Sequence, residues 1–159
     1  MDREKPGFDL VALNPPLVYG PVAHHLESLD GLNTSNQRIR DFVQGKIKGP
    51  ELPPTGTFLF TDVRDIALAH VKALEVAEAG GQRFFITAGH CSHKRMVDAI
   101  AKTHPEIADR LPQNPIDDFP DSVYGYDNQR ARKLLGIEFH TLETCMDDTT
   151  SSFLRLEMK

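Results

Sequence analysis

Two consecutive prolines, Pro15 and Pro16, stand directly behind the run Phe8-Asp-Leu-Val-Ala-Leu13. The run is short and nearly continuous in apolar residues. Pro6-Gly7 bounds it in front and Asn14-Pro15-Pro16 behind. That is the pattern of a strand buried on both faces, as in a parallel sheet. Neither proline has an N–H to give to a ladder, so the strand must stop there. Leu17 to Pro21 then reads as a loop.

A parallel strand returns to its sheet through a crossover, and the rest of the chain supplies the pieces. Asn33-Thr-Ser35 looks like a helix entry, with Ile39, Phe42, Val43 and Ile47 at helical spacing and Gly49-Pro50 as the stop. Thr57–Phe60 is a short strand. Asp62 opens the most regular helix. Val63, Ile66, Ala67, His70, Val71 and Leu74 fall on one stripe. Asp62 is placed to cap, and Asp65 to answer it in a capping box. Gly80-Gly81 ends that helix, and Arg83–Thr87 is a second buried-type strand. Ser92 caps a helix carrying Met96, Val97, Ile100 and Ala101, which Pro105 ends. The stretch 105–122 is mostly loop. Asp127 caps a short helix closed by Gly136. Thr141 starts the last one, with Leu142, Cys145, Met146, Thr149, Phe153 and Leu156 in line. The order gives an α/β fold with a helical tail. The first strand asks for neighbours that these elements do not supply.

Composition removes several function classes. Eighteen Lys+Arg against 23 Asp+Glu leave a net charge of −5, the wrong sign for a dedicated nucleic-acid binder. No apolar run approaches the roughly 18 residues of a membrane span. The charged start, Met1 to Gly7, is not a secretory signal. Two cysteines, Cys91 and Cys145, make no disulfide framework and read as free thiols of a reducing compartment. A cytoplasmic location is the corresponding expectation.

Candidate chemistry is sparse. His90-Cys91-Ser92-His93, with His140 or Cys145, has metal-ligand residue types but no standard zinc spacing. Ser92 already has a cap to make, so no metal is expected. His24-His25 sits in a loop near Tyr19 and suits either binding or a solvated surface. His70 reads as a hydrogen-bonded packing residue, and Asp117, Asp118 and Asp121 as a solvated acidic turn. There is no G-x-S-x-G elbow, no G-x-G-x-x-G and no phosphate loop. Gly80-Gly81 follows a helix, not a strand. No complete catalytic site assembles from these residues.

Four ordered segments resemble the extended short-chain dehydrogenases/reductases: Asn14-Pro-Pro-Leu-Val-Tyr-Gly-Pro21, Asn33-Thr-Ser35, Phe60-Thr-Asp-Val-Arg-Asp-Ile-Ala67, and Tyr126 to Gly136 with its Leu-Leu-Gly ending. The branch they resemble is that of the fungal NADPH-dependent ketone/aldehyde (methylglyoxal) reductases, akin to dihydroflavonol reductases, in the NAD-dependent epimerase/dehydratase superfamily. The resemblance covers nearly the whole chain but only the family's C-terminal half. It implies the C-terminal portion of a Rossmann-like, doubly wound parallel sheet, with strands near 8–13 and 83–87. Segments 14–60 and 88–159 would form a small, mostly helical substrate lobe. The N-terminal cofactor-binding half, with its Gly-rich turn, catalytic Ser and Tyr-x-x-x-Lys pair, is absent. The residue four places after Tyr19 is Ala23, after Tyr124 Asn128, and after Tyr126 Arg130.

The resemblance carries Pro15, Val18 and Ser35 over as cofactor-binding positions. They stand for the nicotinamide wall, a main-chain contact to the carboxamide, and a hydroxyl near the phosphates. Tyr19, His24 and His25 would line the substrate pocket. Asp62, Arg64 and Asp65 would pair and cap. No catalytic residue is carried over. The cofactor implied is NADP, with weak or no binding by this chain alone. The function implied is the substrate-binding half of an oxidoreductase acting on ketones or aldehydes, inactive in isolation. Its partners would be a small carbonyl substrate once the missing half is supplied, and that half itself or a second copy through the open sheet edge. No nucleic acid or membrane is expected. The alternatives are a non-catalytic interaction or complementation module using that edge, or a truncated reading of a complete reductase gene.

Overall fold

The structure, a computed structural model, describes residues 7–158. The charged start at Met1–Pro6 lies outside them. β1 (Ala12–Asn14) is followed across the prolines by β2 (Leu17–Tyr19). Then come α1 (Thr34–Val43), β3 (Leu59–Asp62), α2 (Val63–Glu75), β4 (Arg83–Phe85) and β5 (Gly89–His90). Three helices close the order: α3 (His93–Thr103), α4 (Gln129–Leu134) and α5 (Leu142–Glu157).

The α/β class and the parallel pairing are as the sequence implied. The sheet is divided, however. β1 pairs in parallel with β4, Leu13 opposite Phe84. β2 pairs in parallel with β3, and β3 antiparallel with β5, in a second sheet. Leu17–Tyr19, expected as loop, is therefore a strand. Its three residues carry too little pattern to show this, and only the distant β3 makes it one.

β1 also departs from expectation. Only the last of residues 8–13 are extended, and the strand is half-buried instead of covered on both faces. Phe8 and Leu10 are 71% and 73% exposed. Among the described residues β1 pairs with one strand, β4, and no strand pairs with its other edge. β4 likewise stops at Phe85, short of Thr87.

α2 starts as expected, with the Asp62 carboxylate accepting from the Arg64 N–H at 2.9 Å. It does not close a capping box. Asp65 turns inward and accepts from the main-chain N–H of His140 at 3.1 Å and pairs with its Nδ1 at 2.5 Å. Of the expected apolar stripe only Ile66 is buried. Asp65, Ile66 and Ala69 are the buried residues, while Leu68, His70, Val71 and Leu74 face outward. His70 Nδ1–H donates to the Ile66 carbonyl at 2.7 Å on this exposed side, so it is bonded but not packed. α1 ends at Val43, before Ile47, because Gly45 at φ +65° supplies the left-handed residue that stops a helix.

Two separate cores result. One joins Tyr19, Phe42, Met96, Ile100, Met146 and Phe153. α3 and α5 supply much of it, each capped as read from sequence. Ser92 Oγ accepts from Arg95 N and Thr141 Oγ1 from Thr144 N. The other joins Phe84, Ile86, Ala131, Leu135 and Ile137 around β4 and α4.

His104 closes the α3–α5 contact. It bonds Glu106 through Nδ1 at 2.8 Å and the Asp147 carbonyl through Nε2 at 3.1 Å. Burial pushes its pKa down, but these acidic partners outweigh that and raise it. A raised histidine pKa adds stability that is complete below about 6.5, the unfolded value, and is lost as pH climbs through the folded value. The melting temperature should therefore fall as pH rises above that point. His104→Asn should flatten this part of the curve, followed by circular dichroism melts across pH.

Candidate functional site

The chain changes sheets at Pro15-Pro16. β1 ends in one sheet and β2 begins in the other, and in open α/β folds such a divergence at strand ends makes a crevice for ligands. Two cavities flank the end of β2. One, of about 500 Å³, is lined by Leu17, Val18, Tyr19, Ser35, Arg38 and His93 among others. The other, of about 170 Å³, is lined by Val18, Tyr19, His24, Asn33, Asn36 and Val63 among others. Val18 and Tyr19 form the wall between them.

The first turn of α1 holds this wall in place. Ser35 Oγ donates to the Val18 carbonyl at 2.7 Å, and Asn33 Nδ2 donates to Ser35 Oγ at 2.8 Å. Asn36 Nδ2 donates to the Gly20 carbonyl at 3.1 Å. The Asn36 Oδ1 is buried and has no partner. A buried amide oxygen without a donor costs on the order of 1–3 kcal/mol, and here it belongs to a residue lining the smaller cavity.

Gly20 is needed where β2 meets α2. Its φ is +140°, and a Cβ there would lie 2.6 Å from Val63 Cγ1 and 3.1 Å from the Val63 nitrogen. Gly20→Ala should lower stability by about 1–3 kcal/mol, read from urea denaturation midpoints.

Tyr19 is 2% exposed. Burial pushes its hydroxyl well above the usual phenol value, with Cys91 and Cys145 adding to the shift. It is a poor proton donor as it stands. Opposite it in register is Asp62. Burial raises the Asp62 pKa, but hydrogen bonds from Arg64 outweigh this and hold the carboxyl below its ordinary value. Arg64 grips Asp62 through Nε and Nη2 and reaches Asp148 on α5 at 2.6 Å. With the Asp65–His140 pair, these residues tie the start of α2 to α5 and the segment before it.

The proline-rich loop 50–56 closes the far side. Thr55 donates to Asp118 from its N–H at 2.7 Å and from Oγ1 at 2.6 Å. Burial raises the Asp118 pKa, yet the two Thr55 bonds prevail and lower it. Asp118 is thus a loop anchor, not the solvated residue expected. The N–H of His93 donates to Thr55 Oγ1 at 3.0 Å, and its Nδ1–H to the Pro53 carbonyl at 2.8 Å. Burial lowers the His93 pKa. Burial likewise pushes the Cys91 thiol up to about 12, so it is an inert neighbour.

The sequence-derived residues are only partly brought together. Val18 and Ser35 line the larger cavity, and Val18, Tyr19 and His24 the smaller. Pro15 is exposed at the sheet crossing, and His25 is exposed outside both cavities. Among the described residues no three His, Cys, Asp or Glu side chains meet as a metal group. His90 Nε2 instead donates to the Tyr124 carbonyl at 2.9 Å. Sequence reading missed Asn36, Arg38 and the Thr55–Asp118 clamp. Asn36 left a signal: with Ile39 and Val43 it lies on the apolar face of α1, where an amide needs a reason.

A groove of about 630 Å³ lies elsewhere, between β1 and the exposed side of α2, lined by Val11, Leu13, His70 and Leu74 among others. No helix of the described residues is long and apolar enough to cross a membrane.

No protein-family model matches the chain. It is 51% identical over 155 residues to the ketoreductase azaE of Aspergillus niger, covering 97% of this chain and 46% of the relative. It is 31% identical over 157 residues to a putative NADPH-dependent methylglyoxal reductase, GRP2, of Candida albicans, again 97% against 46%. The crystal structure of Gre2 from Candida albicans in complex with NADPH superposes with a TM-score of 0.84 at 29% identity, over 98% of this chain and 46% of that one. The chain spans about half the length of the relatives it matches.

Proposed function

We propose, from the premise that this chain is homologous to the C-terminal half of fungal NADPH-dependent ketone and aldehyde reductases with an epimerase-like Rossmann fold, that it forms the substrate-binding half of such a reductase. The observation that carries this reading is the pair of cavities on either side of Val18-Tyr19, at the crossing between the two sheets.

The residues present fit one end of the cofactor. Val18 offers a main-chain wall, and its carbonyl keeps a lone pair beyond the one Ser35 uses. Ser35 adds a hydroxyl at the start of α1, a favourable place for an anion. Pro15 and Val18 would border the nicotinamide. The cofactor supplies the hydride when bound. Nothing among these residues replaces a Gly-rich turn for the pyrophosphate, so tight binding needs more protein. The smaller cavity, with Tyr19 and His24 in its lining, takes a small carbonyl compound. About 170 Å³ is below the usual range for drug-sized ligands. His25 would join only by a shift of its loop.

The chain supplies position and shape, not the acid. Tyr19 is buried, its hydroxyl is held protonated, and no tyrosine of this chain has a lysine four places after it. The test is NADPH oxidation with a ketone by the purified chain, alone and mixed with the N-terminal half of the Aspergillus niger ketoreductase.

A second reading is favoured by the outward stripe of α2. Leu74 is 90% exposed and Val71 50% exposed, beside the open edge of β1. An unpaired edge with apolar flanks is a template for another chain. In that reading the chain is a non-catalytic module. Co-elution of the two halves without turnover would favour it.

A further inference from the structure

The main-chain groups of β1 and the residues before it alternate between two edges. The Ala12 N–H donates to the Gln82 carbonyl at 3.0 Å. The Leu10 and Asn14 carbonyls accept from the N–H groups of Gly81 and Ile86 at 2.9 and 3.1 Å. The even residues are thus bonded on the β4 side. Successive residues of a strand direct their N–H and C=O groups to opposite edges, so Asp9, Val11 and Leu13 present theirs to the other edge. Among the described residues no strand pairs there. Such a row is a template for one more strand.

The side chains divide in the same way. Asp9, Val11 and Leu13 line the groove beside α2, together with His70 and Leu74. Asn14 lies on the opposite face with Arg83 and Phe85. Residues two apart share a face, so Leu10 and Ala12 lie with Asn14. Leu74 lines the groove and is nevertheless the most exposed large apolar side chain described.

A second copy of this chain fits the edge in one register. Under a two-fold axis through Val11, residues 9–13 of the two copies run antiparallel. Val11 meets its counterpart and exchanges both main-chain bonds. Asp9 of each copy meets Leu13 of the other and does the same. The next pair outward would be Gly7 with Pro15. Gly7 sits in a bend and Pro15 has no N–H, so the ladder closes there. Size agrees with this occupant. Phe8, Leu10, Leu68, Val71 and Leu74, with the polar residues between them, offer on the order of 800 Å² per copy, the extent of a stable specific interface.

We propose that this chain forms a two-fold dimer through the outer edge of β1, centred on Val11. The sheet then runs β4, β1, β1, β4 through both copies. The axis stands across the sheet, so both α2 helices lie on one face. Each Leu74 reaches over the axis to the groove of the other copy. This deepens the module reading by naming what covers the open edge. The reductase reading does not depend on it.

The test is sedimentation equilibrium of the full chain from about 1 to 100 µM, the weak end of affinities for interfaces of this size. The mass should rise from one chain toward two. Leu74→Lys sets two charges near the axis and touches no buried residue. It should weaken the dimer at least about ten-fold. Val11→Pro removes an N–H that the single chain leaves unbonded, and should do the same. Circular dichroism checks that both variants stay folded. Amide exchange reads the register: protection at Val11 and Leu13 should grow with protein concentration. A single chain at every concentration would overturn the proposal, and so would a dimer that Leu74→Lys leaves unchanged. A chain that stays single but pairs one-to-one with the N-terminal half of the Aspergillus niger ketoreductase assigns the edge to that half and also overturns it. If that mixture reduces a ketone, the reductase reading survives. A dimer without turnover in the mixture sinks that reading and leaves this one standing.

Discussion

The purified chain, mixed with NADPH and methylglyoxal, should oxidise no NADPH above background. Three deficits act together. The buried Tyr19 holds its proton too tightly to serve as the acid. No tyrosine of the chain has a lysine four places after it. The nicotinamide has at most one wall. A positioned general acid alone is worth about 10²–10⁴-fold, and placing hydride donor and acceptor together is worth more still. Addition of the N-terminal half of a relative should raise the rate by at least about 10²-fold on the acid–base contribution alone. Absorbance at the NADPH band reads both arms. Steady turnover by the homogeneous chain, lost on a Tyr19→Phe change, would overturn the reading.

The second large effect concerns the divided core. Phe153 is fully buried on α5, in the cluster that also holds Tyr19 and Phe42. Phe153→Ala should cost about 3–5 kcal/mol. Against a typical total of roughly 5–15 kcal/mol, that threatens the whole lobe and both cavities. Phe84 is equally buried but belongs to the smaller cluster. Phe84→Ala should therefore melt β1, β4 and α4 and leave α3 and α5 protected. Amide hydrogen exchange separates the two cases: in the unaltered chain, too, Ala12–Asn14 should exchange well before the middle of α5. A single cooperative loss of protection in Phe84→Ala would show that the clusters are one.

What could be read in the sequence was what neighbours along the chain decide. The caps at Asp62, Ser92 and Thr141 are local hydrogen bonds, and each forms as the residue types require. β2 could not be read, because Leu17–Tyr19 becomes a strand only beside β3, more than forty residues on. Asp65 looked like half of a capping box, yet its partner is His140, seventy-five residues away. The stripe on α2 was visible as a periodicity, but periodicity does not say which side is inside. Here Asp65, bonded to His140, takes an inward position that pattern alone would give to an apolar residue. At the site, Val18, Tyr19, Ser35 and His24 were legible through short motifs. Arg38 and Asn36 were not, because a single polar residue on a helix becomes meaningful only when a cavity forms over it.

The bare edge of β1 and the outward Leu74 have a bearing on how this protein would behave over time. Whatever binds the native form there, and not the unfolded chain, raises its stability by RT ln(1 + [L]/Kd), about 2.7 kcal/mol at a hundred-fold excess over Kd. In the reading in which another chain covers that edge, the melting temperature would report how much of that chain is present, and its scarcity would leave this protein open to proteases for longer.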